Sequence, residues 1–496
     1  MPRDLHGVTA TREIERTWQA ALPPHTLMQQ AGLATARLAM ALAPHSHKIW
    51  LACGPGNNGG DGLEAAMHLK RWGKHPVVTW LGTPESAPAD AVQSWQSAVS
   101  AGVSFADEPP ACFDLCIDAL LGIGFDPGIR DITGQMAHWI GLINSASVPV
   151  LAVDIPTGLN ADTGREGLVS VQAQFTLSLL TLKPGLFTAH GRDAAGEVWL
   201  CDLGTGSAVK QLTASLAGSS ALIASPQPTA PTASLCGLPT TTPRRHASHK
   251  GSFGDVVVIG GGTGMTGAAL LAGAAALQSG AGRVFVALLD NGTLQVDLTY
   301  PELMFRPLAG LDLSGKTVVC GCGGGEAVHA QLDKILRAEV PVVIDADAIN
   351  SIAISSALQT LLVQRSTRRW PTVMTPHPLE AARLLKTTAA QVQQDRLTAT
   401  QRLADAFGCT VVLKGSGTVV AVPGHIPSIN PTGNASLATA GTGDVLAGMV
   451  GALLAAGLPA FEAACEAVYL HGQAADTWQQ RSSQQHLTAS ELIQLL

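Results

Sequence analysis

From Lys48 onward the chain alternates short apolar runs with stretches of helical periodicity. Residues 48–53, 76–81, 115–120, 149–154 and 175–182 are runs bounded by Gly, Pro or Asp, which reads as strands. Residues 62–72, 87–101 and 132–146 read as the helices between them, and 12–42 as one or two helices packed on the same sheet. Such alternation predicts a mostly parallel sheet with helices on both faces. A stretch rich in Ser, Thr, Ala and Pro, 205–243, then carries no sustained periodicity and reads as a linker. A second series follows, with strands at 255–259, 283–288, 317–322, 340–345, 372–375, 410–414 and 418–422. A helix is expected at 266–279 and a long helical region from Gly443. The expected organisation is two α/β domains, 1–212 and 244–496, joined by a linker over 213–243.

Composition narrows the class. Apolar residues make up 46% and charged residues 14% of 496 positions, as in folded domains, and 53 glycines suit an α/β chain with many tight turns. The formal net charge is -7 and no basic run occurs, so no nucleic-acid partner is expected. The nine cysteines are scattered; neither Cys112/Cys116 nor Cys320/Cys322 has zinc-site or thioredoxin-like spacing, which points to reduced thiols in the cytoplasm. The first nineteen residues lack an apolar signal core, and the longest apolar stretch, 445–460, contains Pro459 and falls short of the ~20 residues that span a bilayer. A soluble, cytoplasmic homo-oligomer acting on small molecules, without a membrane partner, is the expectation.

Three glycine-rich stretches match phosphate-binding patterns. Gly310–Thr317 fits a P-loop expression, but Thr317 opens an apolar strand where a helix is required, so the match is a coincidence. Gly54-Pro-Gly56-Asn-Asn-Gly59 and Gly262-Thr-Gly264-Met-Thr-Gly267 both follow a strand and precede a helix, as a dinucleotide fingerprint does. The strand after the first ends without an acidic residue for a ribose. The one after the other ends at Asp290, which keeps open a two-domain NAD-dependent dehydrogenase.

The full first stretch, GPGNNGGDGLEAAMHL, resembles the signature of NAD(P)H-hydrate epimerases, and Asp118–Gly124 and Val153–Leu159 match that family's D-A-L-x-G-x-G and V-D-I-P-[ST]-G-L. The resemblance implies a doubly wound Rossmann-like domain. It also implies potassium held by the oxygens of Asn58, Asp118 and Thr157, ligands that suit a hard cation. Substrate would lie across Asn57, Asn58, Gly59, Gly60 and Asp61 and across Gly122, Ile123, Gly124, Phe125, Asp126, Pro127 and Gly128. Asp154 is the candidate proton shuttle and substrate contact. Lys183, in the TLKPG turn, reads either as a phosphate contact or as a solvated surface lysine.

The second half resembles the ADP/ATP-dependent NAD(P)H-hydrate dehydratases, which are ribokinase-like α/β proteins. The resemblance rests on HKGSFGDVVVIGGGTGMTGAALLAG from His249, PVVIDADAIN from Pro341, TPHPLEAARLL from Thr375, VLKGSGTVVA from Val412 and NASLATAGTGDVLAGMV from Asn434. Two motifs depart: HPGE reads His377-Pro378-Leu379-Glu380, and GPGLG reads Gly321-Cys322-Gly323-Gly324-Gly325. The first departure puts the local turn in doubt, and the second is expected to loosen its loop. Gly441-Thr442-Gly443-Asp444 opening a helix is the strongest chemical signal, since glycine amides and a positive helix end accept a moving phosphoryl group beside a base.

In the implied mechanism Asp444 takes the proton of the hydrate's C6 hydroxyl, which attacks the terminal phosphate of ADP, and AMP leaves. Phosphate then departs, restoring NAD(P)H. Lys414, Gly415, Ser416, Gly417, Thr418 and Gly443 would hold the nucleotide; Gly324, His377 and Asp444 would meet the hydrate; and Glu380 would help to place Mg2+. Asp345, Asp347 and Asn350 lie at a strand end near the same crevice without assigned roles. A kinase-like enzyme with a non-catalytic, nucleotide-sensing N-terminal module is the other alternative, separated by whether the N-terminal half interconverts R and S hydrates.

Overall fold

The computed structural model describes residues 3–205, 229–239, 246–290, 292, 294–482, 484 and 486–496. The chain divides into two compact units, Asp4–Thr232 and Ala233–Leu496.

In the first unit successive residues of Lys48–Cys53 feed two different cores. Ile49, Leu51 and Cys53 pack with Leu63 and Leu69, while Trp50 and Ala52 pack with Trp139 and Ile140. A strand points alternate side chains to opposite faces, so a sheet covered on both sides requires an unbroken apolar run. The sheet is parallel, in the order Ser104–Phe105, His75–Trp80, Lys48–Cys53, Leu115–Ala119, Val150–Val153, Phe175–Leu179, Glu197–Cys201. Strand order reverses between Lys48–Cys53 and Leu115–Ala119, which opens a crevice at their carboxyl ends. Val8–Ala21 and Thr26–Leu42 are the two N-terminal helices.

The helix expected at 62–72 begins earlier and spans Asn57–Arg71. Glycines hid its first turn, yet they are what lets the turn form: a Cβ on Gly59 would lie 1.9 Å from the Gly54 carbonyl oxygen. The edge strand Glu197–Cys201 was not among the expected strands although Val198–Cys201 is an apolar run; Trp199 and Leu200 are exposed at this edge.

The second unit repeats the logic. Val256 and Val258 face one core, with the helices Thr266–Gln278 and Thr442–Ala455; Val257 and Ile259 face the other, with His329–Arg337, Ala346–Ile354 and Ser356–Thr367. Its strands run Ala233–Leu235, Ser428–Ile429, Val419–Ala421, Thr410–Leu413, Thr372–Met374, Val342–Ile344, Thr317–Cys320, Asp255–Gly260, Arg283–Leu288, Met304–Phe305. Pairing is parallel except on either side of Val419–Ala421. Here the order reverses between Asp255–Gly260 and Thr317–Cys320. Thr317 does open a strand, so the P-loop match is structurally empty.

One boundary is corrected. Ala233–Leu235, assigned to the linker on composition, is a strand paired in parallel with Ser428–Ile429, with Ala233 and Leu235 buried. Three residues are too few to show a period. The rest of that linker at 213–228 and 240–243 lies outside the described residues. Among the described residues no single helix is long and apolar enough to cross a membrane; the bent pair Ala346–Ile354 and Ser356–Thr367 has the composition but buries Ile349, Ile352, Leu358 and Leu362 in the core.

The helix Thr442–Ala455 is seated by missing side chains: a Cβ on Gly448 would lie 2.1 Å from the Ala272 carbonyl oxygen, and one on Gly451 2.4 Å from Val319 Cγ2. Alanine favours an isolated helix over glycine by about 1 kcal/mol. Even so, Gly448→Ala is expected to destabilise the second unit by about 1–3 kcal/mol through overpacking, measured as a lowered midpoint in calorimetry.

Candidate active sites

The crevice of the first unit holds a cavity of about 370 Å³. Asn57, Asn58 and Asp61 line it from the first turn of the Asn57–Arg71 helix, Gly122, Ile123, Gly124 and Phe125 from the loop after Leu115–Ala119, and Asp154 from the next strand end. Gly59, Gly60, Asp126, Pro127 and Gly128 do not line it. Gly59 packs on Gly54, Gly60 has room only for the Met28 side chain, and Asp126 Oδ1 turns back to accept the Gly128 amide at 2.8 Å. Arg12 and Glu15 reach the cavity from the first helix and Asp90 from Ala89–Ser100, three contacts no motif announced. Burial pushes Asp61 well above the usual carboxylate range and raises Glu15, and the Asp154 charge adds to both.

Asp154 sits at a strand end with φ 69, a left-handed backbone that costs a non-glycine residue on the order of 1 kcal/mol or more. Its Oδ1 accepts from the ammonium of Lys183 and its Oδ2 faces Gly122, 3.2 Å from where a Cβ would stand. Lys183 is wholly buried, donating also to the Leu179 carbonyl at 2.7 Å and Ser178 Oγ at 3.3 Å. Neither reading of this lysine holds: it is the counter-charge of Asp154, neither a solvated surface group nor a free phosphate ligand.

Asp118 is fully buried. Its Oδ1 accepts from Thr157 Oγ1 at 2.7 Å and the Leu120 amide at 3.2 Å, and its Oδ2 from the Thr157 amide at 2.8 Å. Burial pushes it to about 6, and among the described residues no cation pairs with it. Asn58 Oδ1 lies 3.3 Å from the Cβ position of Gly122, and its buried Nδ2 has no hydrogen-bond partner.

In the second unit four strand ends converge on Asp345. Its Oδ1 accepts from Lys414 Nζ at 2.7 Å and Thr375 Oγ1 at 2.6 Å, and Cys322 Sγ lies 3.8 Å from Oδ2. Asp444 stands at the third position of the helix Thr442–Ala455, and Cys322, Asp345 and Asp444 present one atom each within 4.8 Å of one another. Burial first, then the Asp345 charge, raises Asp444 to about 7. Burial alone would lower Lys414, but the Asp345 and Glu380 carboxylates outweigh it and raise it. Lys414 Nζ lies 3.3 Å from the Cβ position of Gly443, so the ammonium and the bare helix end share one point. His471 Nε2, 2.9 Å from the Thr442 carbonyl, braces the same end; burial lowers it to about 4 and leaves it neutral.

The loop after Lys414 bends through Gly415 (φ 133) and Gly417 (φ 61), with Thr418 Oγ1 donating to the Gly415 carbonyl at 3.1 Å and Ser416 exposed between. Gly324 lies in the loop after Thr317–Cys320; Gly325 donates its amide to Asp347 Oδ2 at 2.8 Å, which gives that aspartate a loop-holding role. Asn350 Oδ1 accepts from Arg383.

His377 caps the helix Pro378–Leu385: its Nδ1 accepts the Leu379 amide, and Glu380 Oε2 accepts the His377 amide at 2.8 Å while Oε1 lies 3.3 Å from His377 Nε2. The turn therefore closes despite Leu379. Glu380 is spent on this cap, so it does not fit a direct Mg2+ ligand.

With the geometry in hand, comparisons are informative. Residues 256–496 match the NAD(P)H-hydrate dehydratase family and residues 24–185 the YjeF-related protein N-terminus. The chain is 35% identical to a bifunctional NAD(P)H-hydrate repair enzyme of Escherichia coli, over 95% of this chain and 88% of the relative. It is 46% identical to an ADP-dependent (S)-NAD(P)H-hydrate dehydratase of Neisseria meningitidis, over 47% of this chain and 80% of that one. A solved ADP/ATP-dependent NAD(P)H-hydrate dehydratase from Bacillus subtilis, co-crystallised with ATP/Mg2+, is 32% identical over 52% of this chain and 92% of its own, with a TM-score of 0.44.

Breaking a buried ion pair leaves an uncompensated charge. Lys183→Met is therefore expected to destabilise the first unit by about 3–5 kcal/mol, and addition of Asp154→Asn to recover most of that loss, a double-mutant cycle read by thermal unfolding.

Proposed function

The chain belongs to the bifunctional NAD(P)H-hydrate repair enzymes, and from that premise we propose how each unit does its share. The protein interconverts the R and S hydrates of NADH and NADPH and dehydrates the S form at the expense of ADP, yielding AMP and phosphate.

Dehydration belongs to the crevice of the second unit, and one observation carries that assignment: a buried aspartate on a helix tip, with the Lys414 ammonium against Gly443. Asp444 removes the proton from the C6 hydroxyl. The hydroxyl oxygen bonds to the terminal phosphorus of ADP as the bond to AMP breaks, the growing charge falling on glycine amides and Lys414. The ring nitrogen's lone pair then expels phosphate, a far better leaving group than hydroxide, as the C6–O bond breaks, and loss of a C5 proton to water restores the ring double bond. The loop Lys414–Thr418 and Gly443 would hold the nucleotide, with Gly324 and His377 beside the hydrate. Magnesium bound to the nucleotide would neutralise phosphate charge.

Epimerisation belongs to the cavity of the first unit. Lys183 engages one oxygen of Asp154 and leaves the other facing the cavity, a geometry suited to shuttling a proton as the C6 hydroxyl leaves and returns or the ring opens and recloses. Asp118, buried with no counter-charge among the described residues, offers carboxylate oxygens that would suit a hard monovalent cation together with the Thr157 hydroxyl and the Asn58 carbonyl oxygen. Potassium there supplies fixed positive charge for the phosphates of the substrate. Nine free thiols support a cytoplasmic setting.

Recovery of reduced-nicotinamide absorbance from hydrate plus ADP tests the first assignment. Asp444→Asn is expected to lower dehydration by at least about 10³-fold while chromatography shows R/S interconversion unchanged; undiminished dehydration would refute the role of Asp444. A base is competent when ionised, so wild-type kcat/KM for dehydration should fall as pH drops through about 7. Replacing potassium with tetramethylammonium is expected to slow epimerisation alone, and Asp118→Asn to abolish any potassium dependence.

A further inference from the structure

Where the dehydratase motif has proline, this chain has Cys322, a fully buried thiol. Its backbone is pinned: the Cys322 carbonyl accepts the Gly261 amide at 3.0 Å, and Gly321 before it donates to the Ile259 carbonyl at 3.1 Å. The side chain therefore has a fixed origin at the crossing point of the two central strands. From there Sγ lies 3.8 Å from Asp345 Oδ2 and within 4.8 Å of an Asp444 carboxylate oxygen.

We propose that Cys322 is a positioning residue for the dehydratase base, its S–H donated to the carboxylates of Asp444 and Asp345 so that Asp444 stays aimed at the helix tip. The proposal rests on the reading of Asp444 as base. Burial, followed by the Asp444 and Asp345 charges, raises the thiol well above its ordinary value, so it remains a donor rather than a thiolate. A proline there would offer no donor at all.

Every charged neighbour of Asp444 can be named. Asp345 and Asp347 raise it from the start of Ala346–Ile354, and Lys414 lowers it from the end of Thr410–Leu413. Neutral His471 meets the Thr442 carbonyl from Ala460–Arg481. The packed helix Thr266–Gln278 has no ionisable side chain, and Glu491 of Ala489–Ile493 is bound to Thr488. Among the described residues of that set His471 is engaged by the Thr442 carbonyl and Lys414 is bonded to Asp345, which leaves the Cys322 thiol as the uncharged donor beside the two carboxylates.

The test is the pH profile of kcat/KM for dehydration in the full-length enzyme. Loss of a donor to a carboxylate makes it harder to ionise. Cys322→Ala should therefore move the acid limb up by about 0.5–1 pH unit, a roughly three- to tenfold loss below the limb, with wild-type rates restored well above it. Cys322→Ser, which keeps a donor, should hold the limb near that of wild type. Wild-type dehydration rates above the limb report an intact second unit.

An unmoved limb in Cys322→Ala, or equal shifts in the alanine and serine variants, overturns the proposal. Uniform loss at every pH marks a packing role only and overturns it too. If the base assignment itself is wrong, Asp444→Asn stays active, an outcome separate from any of these.

Discussion

The chemistry of the second unit depends on one buried contact, the Lys414 ammonium against Asp345. An ammonium held there by a carboxylate and a hydroxyl partner of that carboxylate is charged and fixed, and its position beside Gly443 joins side-chain charge to the open amides of a helix end. The same pair ties the end of Thr410–Leu413 to the end of Val342–Ile344. Thr375 extends the tie to Thr372–Met374. Strand ends so joined cannot drift independently, and the helix they face is seated by the close approach of Gly448 to the Ala272 carbonyl and of Gly451 to the Val319 side chain. Charge placement in this fold is therefore a property of the sheet edge.

The first unit solves a related problem with the opposite sign of concern. Its cavity collects Asp61, Glu15, Asp90 and Asp154, and burial, to which the neighbouring carboxylate charges add, raises Asp61 and Glu15. Lys183, fully buried and not part of the cavity lining, bonds one member of this group, Asp154. A fixed ammonium bonded to one carboxylate oxygen leaves the other oxygen facing the cavity.

Much of this was legible in the sequence. Strands such as Asp255–Gly260 announce themselves because both faces are buried, and the motifs at their ends lie where a doubly wound sheet must put a ligand. What escaped shares a physical cause. Ala233–Leu235 is too short to show a period, and Glu197–Cys201 has an exposed face. Arg12 and Glu15 reach the cavity from a helix whose spacing says only that it is amphipathic. Lys183 was misjudged because sequence conveys charge but not depth, and Cys322 read only as a reduced thiol in a glycine-rich loop because sequence does not show the two carboxylates beside it. Asp345 was noticed near the crevice, but its tie to Lys414 spans 69 residues.

The cap on Pro378–Leu385 bears on how distant relatives are found. Glutamate three places after the histidine closes the turn by bonding the histidine amide, and Leu379 between them lies in ordinary helical backbone with its side chain half in solvent. Glycine at that place answers no conformational demand in this chain. A pattern search that insists on it would discard a sequence that keeps every bond of the turn, whereas one that weights the histidine–glutamate spacing would retain it.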